Sequence, residues 1–142
     1  MFSDSRIDIY EYLHGLFYDT VTKNVYSMNE PQELTESDTK DGFIVIRVGN
    51  VNDLSEFNRN AYGRVRCYVE AFVPPRSRGR LDFDKYAAFE DSINSVIASA
   101  TTNRQGEYYI QEGSELSTDG EEVSNANNTY FTFIKSFIVD IL

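Results

Sequence analysis

Arg64-Val65-Arg66-Cys67-Tyr68-Val69-Glu70-Ala71-Phe72-Val73 alternates almost without a break. Successive side chains of an extended chain point to opposite faces. Val65, Cys67, Val69, Ala71 and Val73 therefore fall on one side, and Arg64, Arg66, Tyr68 and Glu70 on the other. Such a strand belongs to a sheet with one buried and one wetter face, and Pro74-Pro75 stops it because neither proline can donate a ladder hydrogen bond. Upstream, Phe43-Ile44-Val45-Ile46-Arg47-Val48 is apolar on both parities for most of its length, which predicts a strand covered on both sides. Downstream, Thr129 to Ile141 carries Tyr130, Phe131, Phe133, Ile134, Phe137, Ile138 and Val139 and predicts a long closing strand. Lys135-Ser136 interrupts that run and is expected to form a bulge.

Two helices flank these strands. Ile7, Tyr10, His14 and Phe17 recur at spacings of three and four, with Ile9, Leu13 and Leu16 beside them; Ser5 is the expected cap and the helix should end near Asp19. Tyr86, Phe89, Ile93, Val96, Ile97 and Ala100 form the apolar stripe of the second, capped by Asp82 or Asp84. Val25-Tyr26 predicts a short strand, and Glu107 to Gln111 another. The rest reads as loops at about 27–42, 49–62, 74–81 and 112–128. The predicted fold is a single α+β domain over residues 1–142, in the order α-(β)-β-β-α-β-β. Its antiparallel-dominated sheet has about four to five strands, with two helices packed on one face.

Composition narrows the function. The 142 residues suit one domain. Ten Tyr and ten Phe supply enough apolar bulk for a packed core. The formal net charge of −10 argues against a uniformly basic nucleic-acid grip. A lone cysteine, Cys67, excludes an intrachain disulfide. No signal peptide is expected at the polar start, and no apolar run approaches a membrane span. Expression and assembly in a cytosol are the corresponding expectation.

Chemistry-bearing patterns are few. The single histidine, His14, lies on a helix, which offers a Ser-His-Asp arrangement no support. One Cys and one His cannot supply a zinc site. No phosphate-binding loop, dinucleotide fingerprint or calcium loop occurs, and Thr118 to Glu122 reads as a solvated acidic turn. Cys67 alternates with valines, as a buried inert thiol would. No catalytic, cofactor-binding or metal-ligating residue is assigned. A carboxylate-dependent hydrolase stays open as a third-rank reading and would need two converging acids in a cleft. The most distinctive polar feature is Arg76, Arg78 and Arg80, three arginines within five residues of an otherwise acidic chain. They read either as a solvated loop or as a basic finger docking on an acidic neighbour, a phosphate or a sibling chain. Tyr130, an aromatic of the closing strand, is expected to be exposed and to join them as an interface candidate.

The helix Ile7 to Phe17, the stretch from Val25-Tyr26 to Pro31-Gln32, the strand Phe43-Ile44-Val45-Ile46, the strand Val65 to Val73, the helix Tyr86 to Ala100 and the closing strand pair follow one another in a familiar order. In that order and hydrophobic pattern, over nearly the whole chain, the sequence resembles the tail-terminator and tail-completion (neck) proteins of tailed bacteriophages. The resemblance implies a virion protein assembled in the host cytoplasm as a hexameric or dodecameric ring at the head–tail junction. It would contact portal or connector proteins on one side and tail or adaptor proteins on the other. Double-stranded DNA would pass through its channel during genome ejection without sequence-specific binding. The resemblance carries over no catalytic residues. The competing expectation is a soluble phage or mobile-element accessory domain that binds one partner and forms no ring.

Overall fold

Val65, Cys67, Val69, Ala71 and Val73 are all fully buried, as their alternation requires. The computed structural model that places them describes residues 2–29, 31, 33–49, 52–53, 63–76, 80–102, 108–118, 122–125 and 128–141. Its elements are α1 (Phe2–Phe17), β1 (Val25–Ser27), α2 (Glu36–Asp41), β2 (Phe43–Val48), β3 (Asn52–Asp53), β4 (Gly63–Val73), α3 (Phe83–Thr102), β5 (Tyr108–Ile110), β6 (Leu116–Thr118), β7 (Glu122–Asn125) and β8 (Asn128–Ile141). The fold is α+β with a mixed, mostly antiparallel sheet. No helix among the described residues is long and apolar enough to cross a membrane.

The sheet runs β1-β2-β4-β8-β5. β8 pairs with β4 in one continuous register, from Gly63 opposite Ile141 to Val73 opposite Phe131. That ladder occupies a whole side of β8, so β5, β6 and β7 share the other side in series. β2 and β3 likewise share the free side of β4. The sheet is thus five columns wide, close to the expected width, but holds eight strands among the described residues. β1 joins β2 in parallel, the one parallel pair among the described strands.

The loop expected at about 49–62 contains the two-residue β3, which adds to the free side of β4, and three further expectations about strands and loops are corrected. First, no bulge occurs at Lys135-Ser136: Val69 faces Lys135 and Tyr68 faces Ser136 in unbroken register. Lys135 keeps its place on the helix-covered face because its Nζ lies 3.2 Å from Glu90 of α3 and donates to Ser117 Oγ at 2.8 Å. Second, the segment 112–128 contains β6 and β7. The outer edge of a fourteen-residue strand exposes backbone donors and acceptors that polar segments can satisfy as well as apolar ones. Third, the loop at 27–42 contains α2. A Thr35–Asp38 capping box starts it: Asp38 N–H donates to Thr35 Oγ1 at 3.1 Å, and Thr35 N–H to Asp38 Oδ2 at 3.0 Å.

α1 and α3 cover one face of the sheet. Ile9, Leu13 and Phe17 of α1 and Ile93, Ile97 and Ala100 of α3 meet the inward row of β4, with Ile44, Ile46, Phe133, Phe137 and Val139. Burying each Ile, Leu or Phe contributes roughly 1.5–3 kcal/mol. Ile7 leaves this stripe because it lies about 200° around the helix from Ile9, and it is 59% exposed. Ser5 lies inside α1 rather than at its cap, since the helix begins at Phe2. Asp19, at φ 62°, turns the chain out of the helix. Asp82 caps α3 as expected, accepting Lys85 N–H at 3.1 Å.

Among the described residues, α2 covers one end of the opposite face. There Phe43 stacks on Phe72 (centroids 4.5 Å apart, 9° between planes), and Tyr130 meets both edge-on. Tyr26 and Leu34 complete this second core. Asp38 of α2 is fully buried over it and accepts the Tyr26 hydroxyl at 2.5 Å. Gly42 makes the turn from α2 into β2 at φ 88°, ψ 178°, a region open in practice to glycine alone. A Cβ there would sit 2.6 Å from the carbonyl oxygen of Phe72. Gly42→Ala should therefore lower unfolding free energy by about 3 kcal/mol, read from urea denaturation. A loss below about 1 kcal/mol would mean that the turn relaxes freely.

Candidate subunit interface

The sequence-derived interface residues separate in space. Arg76 is exposed and turned back on its own loop: its guanidinium lies 3.5 Å from Asp82 Oδ1 and 3.2 Å from Asp84 Oδ2, and its backbone N–H donates to the Arg80 carbonyl at 2.7 Å. Arg80 is exposed and makes no ion pair with a described residue. Arg78 lies outside the described residues. Tyr130 is corrected: it is fully buried in the second core, because the even-numbered side of β8 faces α2 at that end, and its hydroxyl donates weakly to the Asp38 carbonyl at 3.4 Å.

Beyond α2 the second face of the sheet is a charged lattice. Arg64 sits directly opposite Asp140, with Nε 3.0 Å from Oδ1. Arg47 reaches diagonally to Glu70 at 2.7 Å. Arg66, between them on β4, finds only a neutral partner, donating to Ser136 Oγ at 3.2 Å. Of the three arginines in this row, Arg66 alone lacks a carboxylate among the described residues. It lines a cavity of about 330 Å³ with Gln111, Glu112, Gly113, Ser114, Leu116 and Ile138. Leu116 is 60% exposed on β6, at the outer edge of the sheet.

The other edge is different. Beside β1, a groove of about 420 Å³ is lined by Arg6, Ile7, Tyr10, Ser27, Met28 and Val48. Arg6 anchors α1 there, donating to the Val48 carbonyl at 2.8 Å. Ile7 and Met28 stand exposed at the rim. A third cavity, of about 590 Å³, lies between α1 and α3 and is lined mainly by Gly15, Leu16, Ser92, Ser95, Val96 and Ser99. None of these three cavities is lined by two carboxylates. His14 lies half-buried between Tyr10 and Tyr18, stacked on the latter at 5.2 Å.

Sequence reasoning missed Arg66, Leu116, Ile7 and Met28 as surface features. Arg66 was placed on the correct strand face, but a row of alternating charges does not say which of them lacks a partner. Leu116 sits in a polar stretch without periodicity. Ile7 fell within an apolar stripe drawn too wide. No protein-family model matches the chain, and no curated protein is similar to it in sequence.

Several buried acids share one pH signature. Burial pushes the Cys67 thiol up to about 12. Burial, then the neighbouring Cys67, pushes Tyr12 up to about 12. For Tyr26, burial acts first and the Asp38 carboxylate second, again to about 12. Each group holds its proton more tightly folded than unfolded. Its stabilisation is thus complete below the ordinary pKa and is lost as pH rises through the folded value. Urea midpoints should stay level through neutral pH, then fall between about pH 9 and 12. Tyr26→Phe should flatten the part above about pH 10. Midpoints that hold steady to pH 12 would contradict these proton placements.

Proposed function

We propose that the chain is a structural virion subunit that closes into a ring at the head–tail junction of a tailed phage. There it joins the tail to portal or neck proteins and surrounds the DNA channel. The observation that carries this reading is the asymmetry of the two sheet edges. One edge offers an apolar groove with Ile7 and Met28 at its rim, and the opposite edge offers Leu116 beside Arg66. Two unlike patches on opposite sides of one subunit favour a head-to-tail contact, and head-to-tail contacts close into rings when the rotation between copies permits. Two identical patches would instead favour a two-fold dimer.

Charge supports the second half of the proposal. A subunit with net charge −10, repeated around a channel, repels the phosphate backbone and lets DNA pass without holding it. Arg76, spent on Asp82 and Asp84, adds little grip on phosphate. Arg80 is the described member of that loop still available to an acidic neighbour in an adjoining ring.

Light scattering coupled to size exclusion should give a mass of six or twelve copies at micromolar concentration, and electron micrographs should show annular particles. Purified phage particles should contain the chain in the same multiple. A protein that stays monomeric alone and beside its portal and tail proteins, and is absent from particles, would overturn the proposal.

A further inference from the structure

Among the described residues Arg66 is a cation without a counterion in a row where its two neighbours have theirs; Glu112, exposed, lines the same cavity but forms no ion pair with it. A guanidinium presents five N–H donors in a fork that matches a carboxylate, and among the described residues Arg66 makes a single bond, of 3.2 Å to Ser136. Gln111 lines the same cavity, and its side-chain oxygen is buried without a hydrogen-bond partner among the described residues. That oxygen is an acceptor closed off from solvent, so Arg66 supplies the donors of the socket. Leu116, on the rim, supplies apolar area next to this anion socket.

The complementary group stands at the opposite edge of the sheet. On α1, Asp8 and Glu11 flank Ile7 at one and four residues, all three are exposed, and neither acid pairs with a described residue. Residues four apart share a helix face, so Ile7 and Glu11 form one apolar–acidic patch. The two patches match in sign and in kind: a cation beside Leu116, an anion beside Ile7.

We propose that Arg66 is the socket of a head-to-tail contact between copies of this chain, receiving Asp8 and Glu11 of the next copy while Leu116 covers that copy's Ile7. The proposal rests on the ring reading and specifies the contact that closes it. A carboxylate entering the cavity is partly desolvated, so the pair contributes more than an exposed surface ion pair does.

A charge-swap experiment tests it. Arg66→Glu and the double variant Asp8→Lys/Glu11→Lys are each purified, and assembly is read by light scattering across a concentration series. Each variant alone sets like charges against each other and should weaken assembly roughly a hundredfold. Mixed in equal amounts, they should recover assembly, because each variant's altered patch then meets the opposite sign on the other. Urea melts check that both are folded; should Arg66→Glu fail to fold, Arg66→Gln removes the positive charge without adding a negative one and should weaken assembly by about tenfold. If the wild-type chain forms rings and the Arg66 variant forms them equally well, or if the folded mixture fails to recover, the socket is wrong and the ring stands. If the wild-type chain never assembles, the ring reading itself fails.

Discussion

The antiparallel ladder between β4 and β8 is the constraint on which the rest depends. It runs from Gly63 opposite Ile141 to Val73 opposite Phe131 without a slip. Because side chains alternate with a strict period of two, one residue of slippage would turn every buried valine toward water. The ladder therefore decides at once which residues meet α1 and α3 and which form the opposite face. It also explains how a lysine comes to be buried. Lys135 is carried inward by its register, and Glu90 and Ser117 satisfy it there. Removing Glu90 would leave the lysine's charge buried without its counterion, which is the costly direction for such pairs.

The two faces of this ladder have different fates. The helix-covered face is a continuous apolar core in which Cys67 is one more small buried side chain. The other face is closed at one end by α2, a six-residue helix too short to stand alone. Its capping box, the Tyr26–Asp38 bond and the Phe43–Phe72–Tyr130 cluster hold it in place. Elsewhere that face carries cross-strand charge pairs, and Arg66, which has no carboxylate partner among the described residues, lies toward the outer edge. At the lateral edges, Ile7 and Met28 on one side and Leu116 on the other are exposed.

Much of this was legible in the sequence. The rows of β4, the two-sided burial of β2, the short strand at Val25, the stripe and cap of α3 and the inert setting of Cys67 all follow from period and chemistry. The failures have physical causes. α2 was hidden because its capping box lies in a polar stretch with no apolar period behind it. β6 and β7 exist because β8 offers them an edge, a tertiary effect that local propensity does not encode. The expected bulge followed from a polar pair in an apolar strand, and the partners that remove the need for it come from α3 and β6. Tyr130 was expected outside and lies inside because α2, unforeseen, covers it. The arginine loop was visible as a motif, but the acids that occupy Arg76 become neighbours only when Asp82 caps α3.

In the proposed ring, a rigid ladder lies at the centre of each copy and its two unlike edges meet those of sibling chains. Amide hydrogen exchange, followed segment by segment in the free and the assembled chain, tests that account most directly. The account predicts the slowest exchange in β4 and β8 in both states. It predicts fast exchange at Leu116–Thr118 and in the first turns of α1 in the free chain, with marked slowing at those two places on assembly. Edges already as protected as the ladder in the free chain, or slowing confined to the cleft between α1 and α3, would contradict it.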